Sequence, residues 1–143
     1  MKEPYLPTRL GWIVFIALVF LDAFLDVLRG AEGNPLWIPV VKAIGISFVP
    51  FLVPLVLPLF YLVVKAASLA VRKADKLPHA EEIVLTALVV VYAVFDAWLI
   101  ASDFLGFRLI RSFNHMIPVM MAAGFAYALW AERVVAGRST ATR

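Results

Sequence analysis

Acidic residues inside apolar stretches are the residues of this sequence best suited to chemistry. Asp22 and Asp26 are four residues apart, and Arg29 comes seven residues after Asp22. Asp96 and Asp103 repeat the spacing of seven in the second half of the chain. On an α-helix these spacings place the side chains of each set on one face. Carboxylate oxygens suit hard cations, and a desolvated carboxyl group can hold a proton.

Further polar residues border the same ends of the apolar stretches and complete a predicted polar cluster. They are Lys42, Arg108, Arg111, Asn114 and His115. In one interpretation of the cluster, Asp22 and Asp96 face each other across a helix bundle and bind a small cation or a proton. The protein would then be a small transporter or a channel-like protein.

Two other interpretations of the cluster stay open. The charges could simply neutralise one another, Arg29 with Asp103 and Lys42 with Asp22, in a structural or accessory subunit of a membrane complex. Alternatively, a carboxylate pair with His115 could supply acid and base to an enzyme that works within the membrane. No catalytic motif, nucleotide-binding loop or metal-ligand motif accompanies these residues.

The composition indicates what kind of protein positions the cluster. Hydrophobic residues make up 64% of the 143 residues and charged residues 16%, and the mean hydropathy is +0.94. Soluble domains average about 45–50% apolar and about 25% charged residues, so this composition predicts an integral membrane protein. With no cysteine, thiolate chemistry and disulfides are excluded, and we expect neither a cofactor nor a nucleic-acid partner. The absence of Gln and the presence of only two Asn are typical of a thermophile.

Four apolar stretches are long enough to cross a bilayer, because about 20 helical residues span its hydrocarbon core. They cover residues 10–28, 36–64, 83–102 and 112–131. The first stretch ends in charged residues and not at a small-residue cleavage site, so we interpret it as a retained helix and not as a signal peptide. The sequence therefore predicts an all-α fold, a single domain over residues 1–143 with four transmembrane helices.

The distribution of basic residues predicts the orientation of these helices. Nine of the 13 Lys and Arg residues lie in the N-terminus, the middle loop and the C-terminus. The positive-inside rule then places both termini and the middle loop in the cytoplasm. The expected partners are the lipid bilayer and either further copies of the chain or a larger membrane complex.

A weak internal repeat is visible in the two halves of the chain. A shift of 74 residues aligns residues 20–23 (FLDA) with residues 94–97 (VFDA) and places Arg29 on Asp103. This match predicts a duplicated helical hairpin whose two copies are parallel, related by an axis near the membrane normal.

The second apolar stretch contains regularly spaced prolines. Pro50, Pro54 and Pro58 follow one another at intervals of four, which places them on one helix face. Each proline lacks the backbone donor that an α-helix uses, so we expect kinks there. The freed carbonyl groups need partners, which predicts that this face packs against neighbouring helices and not against lipid.

A short segment resembles a known family. Asp22, the residues from Arg29 to Leu36 (RGAEGNPL) and Lys42 resemble the domain-of-unknown-function 5658 family, a group of small bacterial and archaeal membrane proteins. Its pattern is an Asp in the first helix, then a turn of the form Gly-x-Glu-x-Asn-Pro-Leu, then a Lys in the next helix. Glu32, Asn34 and Pro35 would form that turn and open the second helix. The resemblance implies no activity.

Overall fold

The computed structural model describes residues 3–110 and 112–141, and every regular element in them is helical. In chain order the helices are α1 (Thr8–Arg29), α2 (Ile38–Ile44), α3 (Val49–Asp75), α4 (Ala80–Leu99) and α5 (Phe113–Ala141). A 3₁₀ turn (Ile46–Phe48) leads into α3, and a π-helical turn (Ile100–Phe104) continues α4.

Four of these helical segments are long and apolar enough to cross a membrane. They are Thr8–Arg29, Ile46–Asp75, Ala80–Phe104 and Phe113–Gly137. The predicted all-α class is confirmed, and the four segments fit a multi-pass membrane protein.

The second apolar stretch differs from its prediction. It is not one helix over residues 36–64, because the chain breaks at Gly45, whose φ of 89° is accessible to a residue without a Cβ. The helix α3 then continues to Asp75. It therefore includes much of the segment between the second and third apolar stretches, which was predicted to be the middle loop.

The proline face of α3 also differs from its prediction. Pro50 lies in the first turn, where a proline removes no helical hydrogen bond. Pro54 and Pro58 lie inside the continuous helix and are exposed, on the side away from the other helices. The expectation that this face packs against neighbouring helices was therefore wrong, since the opposite face, with Val53, makes those contacts.

Helices α1 and α4 are parallel neighbours. The Thr8 hydroxyl group donates to Glu82 Oε1 at 3.2 Å near their N-termini, and Arg29 pairs with Asp103 at 2.9 Å near their C-termini. Both pairs are separated by 74 residues. A duplicated hairpin would produce this register, although the duplication itself stays a prediction.

The two ends of the bundle carry different parts of the chain. The Tyr127 hydroxyl group of α5 donates to the Pro4 carbonyl group at 2.7 Å, and the Tyr5 ring stacks on His79 in the turn between α3 and α4. The N-terminal segment, this turn and the later part of α5 therefore share one end, which we call the terminal end. We call the opposite end, with residues 30–48 and 105–112, the loop end.

Aromatic rings fill the centre of the bundle. Phe15 of α1 is fully buried and meets the rings of Phe60 and Tyr92 edge-on, each with centroids 5.1 Å away. These three rings join α1, α3 and α4. On α1, Phe15 lies nearer the terminal end than Asp22 and Asp26 do. A second apolar cluster, which includes Leu25, Phe95, Leu99 and Met116, packs α1, α4 and α5 together near that end.

Candidate functional site

A small cavity near the loop end contains acidic side chains. Asp22 and Asp26 reach it from successive turns of α1, and Glu32 reaches it from the loop after α1. Its volume is about 60 Å³, enough for about two water molecules. The remaining walls are mostly apolar and come from α1, α3 and α4. Trp37 lines the cavity on the side of the loop end, and Phe60 and Tyr92 line it on the side of the terminal end. We call this the acidic cavity.

Several carboxylate oxygens here are buried without a hydrogen-bond partner. They are one oxygen each of Asp22 and Asp26 and both oxygens of Asp96. Asp96 is only 2% exposed and lies on α4, the neighbour of α1, but it does not line the acidic cavity as Asp22 does. That Asp22 and Asp96 face each other stays a prediction.

Arg29 connects the acidic cavity with the rest of the loop end. Its guanidinium group lies 2.6 Å from Asp26 Oδ1 and 2.9 Å from Asp103 Oδ2, and its Nε donates to the Ala31 carbonyl oxygen at 2.7 Å. The Asp26 contact is an ion pair by distance, but its geometry is not that of a hydrogen bond. A Cβ on Gly33 would come within 3.3 Å of the guanidinium group, so the loop packs closely over Arg29.

The pairing of Arg29 with Asp103 bears out one part of the charge-neutralising interpretation. The π-helical turn at the end of α4 carries Asp103, and the Ser102 hydroxyl group donates to Asp103 Oδ1 at 3.1 Å. Turns of this type are frequent at functional sites because they change the direction in which side chains point.

Glu32 belongs to the site, a role that the sequence did not indicate. Its Oε1 accepts a hydrogen bond from the Asn34 amide at 2.6 Å, and its side chain lines the acidic cavity together with Asp26. Asn34 in turn accepts from the Leu36 amide through its Oδ1 and from the Trp37 amide through its carbonyl oxygen. The predicted turn is present, and the chain already leaves α1 at Gly30, whose φ is 69°, before it reaches Glu32.

The other predicted members of the polar cluster lie outside the acidic cavity. Lys42 is exposed on α2, and no ion pair in the described parts of the chain joins it to Asp22, so that expected pair was wrong. Asn114 and His115 are exposed at the start of α5, where His115 Nδ1 lies 2.7 Å from Ser112 Oγ. Arg111 lies outside the described residues.

A second, larger cleft opens on the other side of Arg29. Its volume is about 650 Å³, and Arg29, Asp103, Arg108 and Ser112 are its polar lining. Phe95, Trp98 and Phe113 form aromatic walls. Arg29 therefore contacts an aspartate of the acidic cavity with one nitrogen and an aspartate of this open cleft with another.

Within the described residues, no three His, Cys, Asp or Glu side chains converge as ligands of one metal ion. Comparisons of the chain with protein-family models, curated proteins and solved structures find no significant match. The resemblance of residues 22–42 to the domain-of-unknown-function 5658 family stays a prediction.

Proposed function

We propose that this chain is a small membrane protein that transfers protons through the acidic cavity. One observation carries the proposal: buried oxygens of the Asp22 and Asp96 carboxyl groups, within spanning helices, have no hydrogen-bond partner among the described residues, and the nearby Asp26 has only the Arg29 ion pair at its Oδ1. An ionised carboxylate that is buried in a membrane helix without a hydrogen-bond donor raises the free energy of the folded protein. Protonation removes that cost. Carboxyl groups inside transmembrane helices commonly mark proton or ion pathways.

The balance of charge around the cavity supports proton binding. Among the described residues, Arg29 is the basic side chain in contact with the acidic cavity, and it also pairs with Asp103. One guanidinium group cannot neutralise Asp22, Asp26 and Asp96 together. A proton on one or two of these three carboxyl groups would remove the excess charge, and a cavity with space for water gives that proton a route of exchange.

Proton flux into liposomes tests the proposal. The purified protein is reconstituted with a pH-sensitive dye inside, and a potassium gradient with valinomycin drives the flux. We expect flux with the native chain, loss of it with Asp22→Asn or Asp96→Asn, and native flux with Asp75→Asn. The Asp75 variant is the matched control, because it makes the same chemical change at the exposed end of α3.

Infrared difference spectra between acidic and alkaline buffer supply a second measurement. The carbonyl stretch of protonated carboxyl groups should lose intensity in Asp22→Asn and Asp96→Asn but not in Asp75→Asn. Flux with the native chain no greater than in empty liposomes would overturn proton transfer, and unchanged infrared bands would overturn proton binding. A cation in place of the proton would instead raise the melting temperature of the native chain on addition of Na⁺, Ca²⁺ or Mg²⁺.

The contacts of Arg29 favour a second candidate function, that of an accessory subunit. Arg29 makes two ion pairs and one hydrogen bond to a backbone carbonyl group, all within the chain. Such contacts stabilise a helix bundle without any transported species. In that case the native chain would give no flux, and it would copurify with a larger membrane complex.

The orientation belongs to the proposal as well. The terminal end contains the first described residues, the turn between α3 and α4 and the later part of α5, and the sequence has most of its basic residues in or next to these segments. The positive-inside rule places this end in the cytoplasm, with the acidic cavity in the outer half of the membrane.

A further inference from the structure

A separate cleft lies at the terminal end, on the side of the molecule that the proposed function does not use. It is formed by the last turns of α3 and the first turn of α4, and its volume is about 770 Å³. Lys65, Arg72 and Lys76 line it, with Leu69 and Leu77 as apolar neighbours. We call it the basic cleft.

The acidic residues of the basic cleft already have partners. Glu81 Oε2 pairs with Lys65 Nζ at 2.6 Å. Glu82 Oε1 accepts from the Thr8 hydroxyl group at 3.2 Å and lies 3.9 Å from His79 Nδ1.

Two basic residues at the end of α3 carry positive charge that no described acidic side chain neutralises. Arg72 and Lys76 are four residues apart, and both are exposed. Within the described residues, neither forms an ion pair with an acidic side chain. The first turn of α4 has no side-chain cap at His79, and its two carboxylates, Glu81 and Glu82, are those already engaged by Lys65 and Thr8. The basic cleft therefore favours an anion.

The depth of the basic cleft identifies the source of that anion. The segment Ile46–Asp75 has 30 residues, about 45 Å of helix, whereas the hydrocarbon core is about 30 Å thick. The last turns of α3 consequently extend into the headgroup layer. The Tyr61 ring lies 5.4 Å from Lys65 Nζ, as expected for a tyrosine at the membrane interface. Leu62 and Leu69 are 62% and 57% exposed, which suits contact with acyl chains.

From this geometry we infer that the basic cleft binds the phosphate group of an anionic phospholipid. Arg72 and Lys76 contact the headgroup, and the acyl chains lie along the exposed apolar side of α3. Binding would hold the terminal end at a fixed depth in the leaflet that faces it. This inference does not depend on the acidic cavity, because the two sites lie at opposite ends of the bundle.

Lipid binding to the protein in neutral detergent tests the inference. Short-chain phosphatidylglycerol, short-chain phosphatidylcholine and inorganic phosphate are titrated separately, and binding is measured from the rise in melting temperature and from native mass spectrometry. The variants are Arg72→Gln and Lys76→Asn, together with the control Lys73→Gln on the same helix but outside the cleft lining. Asn is used at position 76 because the residue there has a φ of 50°, which Asn tolerates.

We expect phosphatidylglycerol to bind and to raise the melting temperature, with the two other additives having little effect. Each cleft variant should weaken binding about fivefold, the usual effect of one basic residue near an anionic surface. Lys73→Gln should bind as the native chain does. Equal effects of the two lipids, or equal losses in the control and the cleft variants, would overturn the inference. A response to inorganic phosphate as large as the response to the lipid would assign the site to free phosphate and overturn the lipid source.

Discussion

Replacing Arg29 by Met should destabilise the protein more than replacing its partner Asp103 by Leu. The side chain of Asp26 is only 5% exposed, whereas that of Asp103 is 32% exposed. Removal of Arg29 leaves Asp26 as a buried charge without a partner, which costs about 3–5 kcal/mol. Removal of Asp103 leaves Arg29 paired with Asp26 and takes away a half-exposed contact, which costs about 1 kcal/mol.

The double variant Arg29→Met/Asp26→Asn gives the sharper result. If the cost of Arg29→Met comes from the stranded Asp26 charge, neutralising Asp26 should restore about 1–3 kcal/mol of the loss. Asp103→Leu added to Arg29→Met should cost little more than Arg29→Met alone, since the pair is already broken.

Equilibrium unfolding in mixed micelles with increasing SDS, followed by tryptophan fluorescence, measures these free energies. Arg9→Met is the control, because Arg9 is exposed on the same helix and should change stability by less than about 0.5 kcal/mol. The reasoning fails if Arg29→Met costs no more than Arg9→Met, or if Asp26→Asn adds its own full cost to that of Arg29→Met.

Three other predictions use the same purified protein. Asp96→Asn should leave the free energy of unfolding unchanged or raise it, because no described partner is lost; a loss above about 2 kcal/mol would show a partner for this carboxyl group. Gly11→Ala should cost about 1–3 kcal/mol, because its Cβ would lie 2.7 Å from a core side chain, whereas Gly137→Ala should stabilise α5 by up to about 1 kcal/mol, since no atom lies within 4 Å of a Cβ there. Single cysteines at Asp75 and Ala31, in a chain with no native cysteine, should react with an impermeant thiol reagent from opposite sides of the membrane; reaction of both from one side would contradict the four-span topology.

The all-α class and the four membrane-length helical segments could be predicted from the sequence because both follow from local composition. Runs of about 20 apolar residues specify membrane helices whatever their neighbours are. The break at Gly45 was not predictable in this way, since the stretch is equally apolar on both sides of it. The outward direction of Pro54 was also hidden, because residues 49–64 of α3 are apolar on every face and no pattern shows which face meets the bundle.

The candidate site was only partly predictable for a different reason. The spacing of seven between Asp22 and Arg29 shows that both lie on one helix face. Their position late in the first apolar stretch shows that both lie toward the same end of the bundle. The contribution of Glu32 depends on a loop that turns back on α1. Whether Lys42 can reach Asp22 depends on the position of α2. Neither depends on periodicity, so a sequence pattern could not place Glu32 in the site or Lys42 outside it.

The position of Arg29 has a consequence for proton transfer. The open cleft is on one side of its guanidinium group and the acidic cavity is on the other, so a fixed positive charge lies where the two meet. A proton moving from the open cleft toward Asp26 would be repelled by this charge unless the guanidinium group moved. At the far side of the cavity, the Phe60 and Tyr92 rings form part of the wall, with centroids 5.7 Å apart. If the proposed transfer passes Arg29, then Arg29→Met, which removes this charge, should speed the dye-reported proton flux into liposomes while lowering stability.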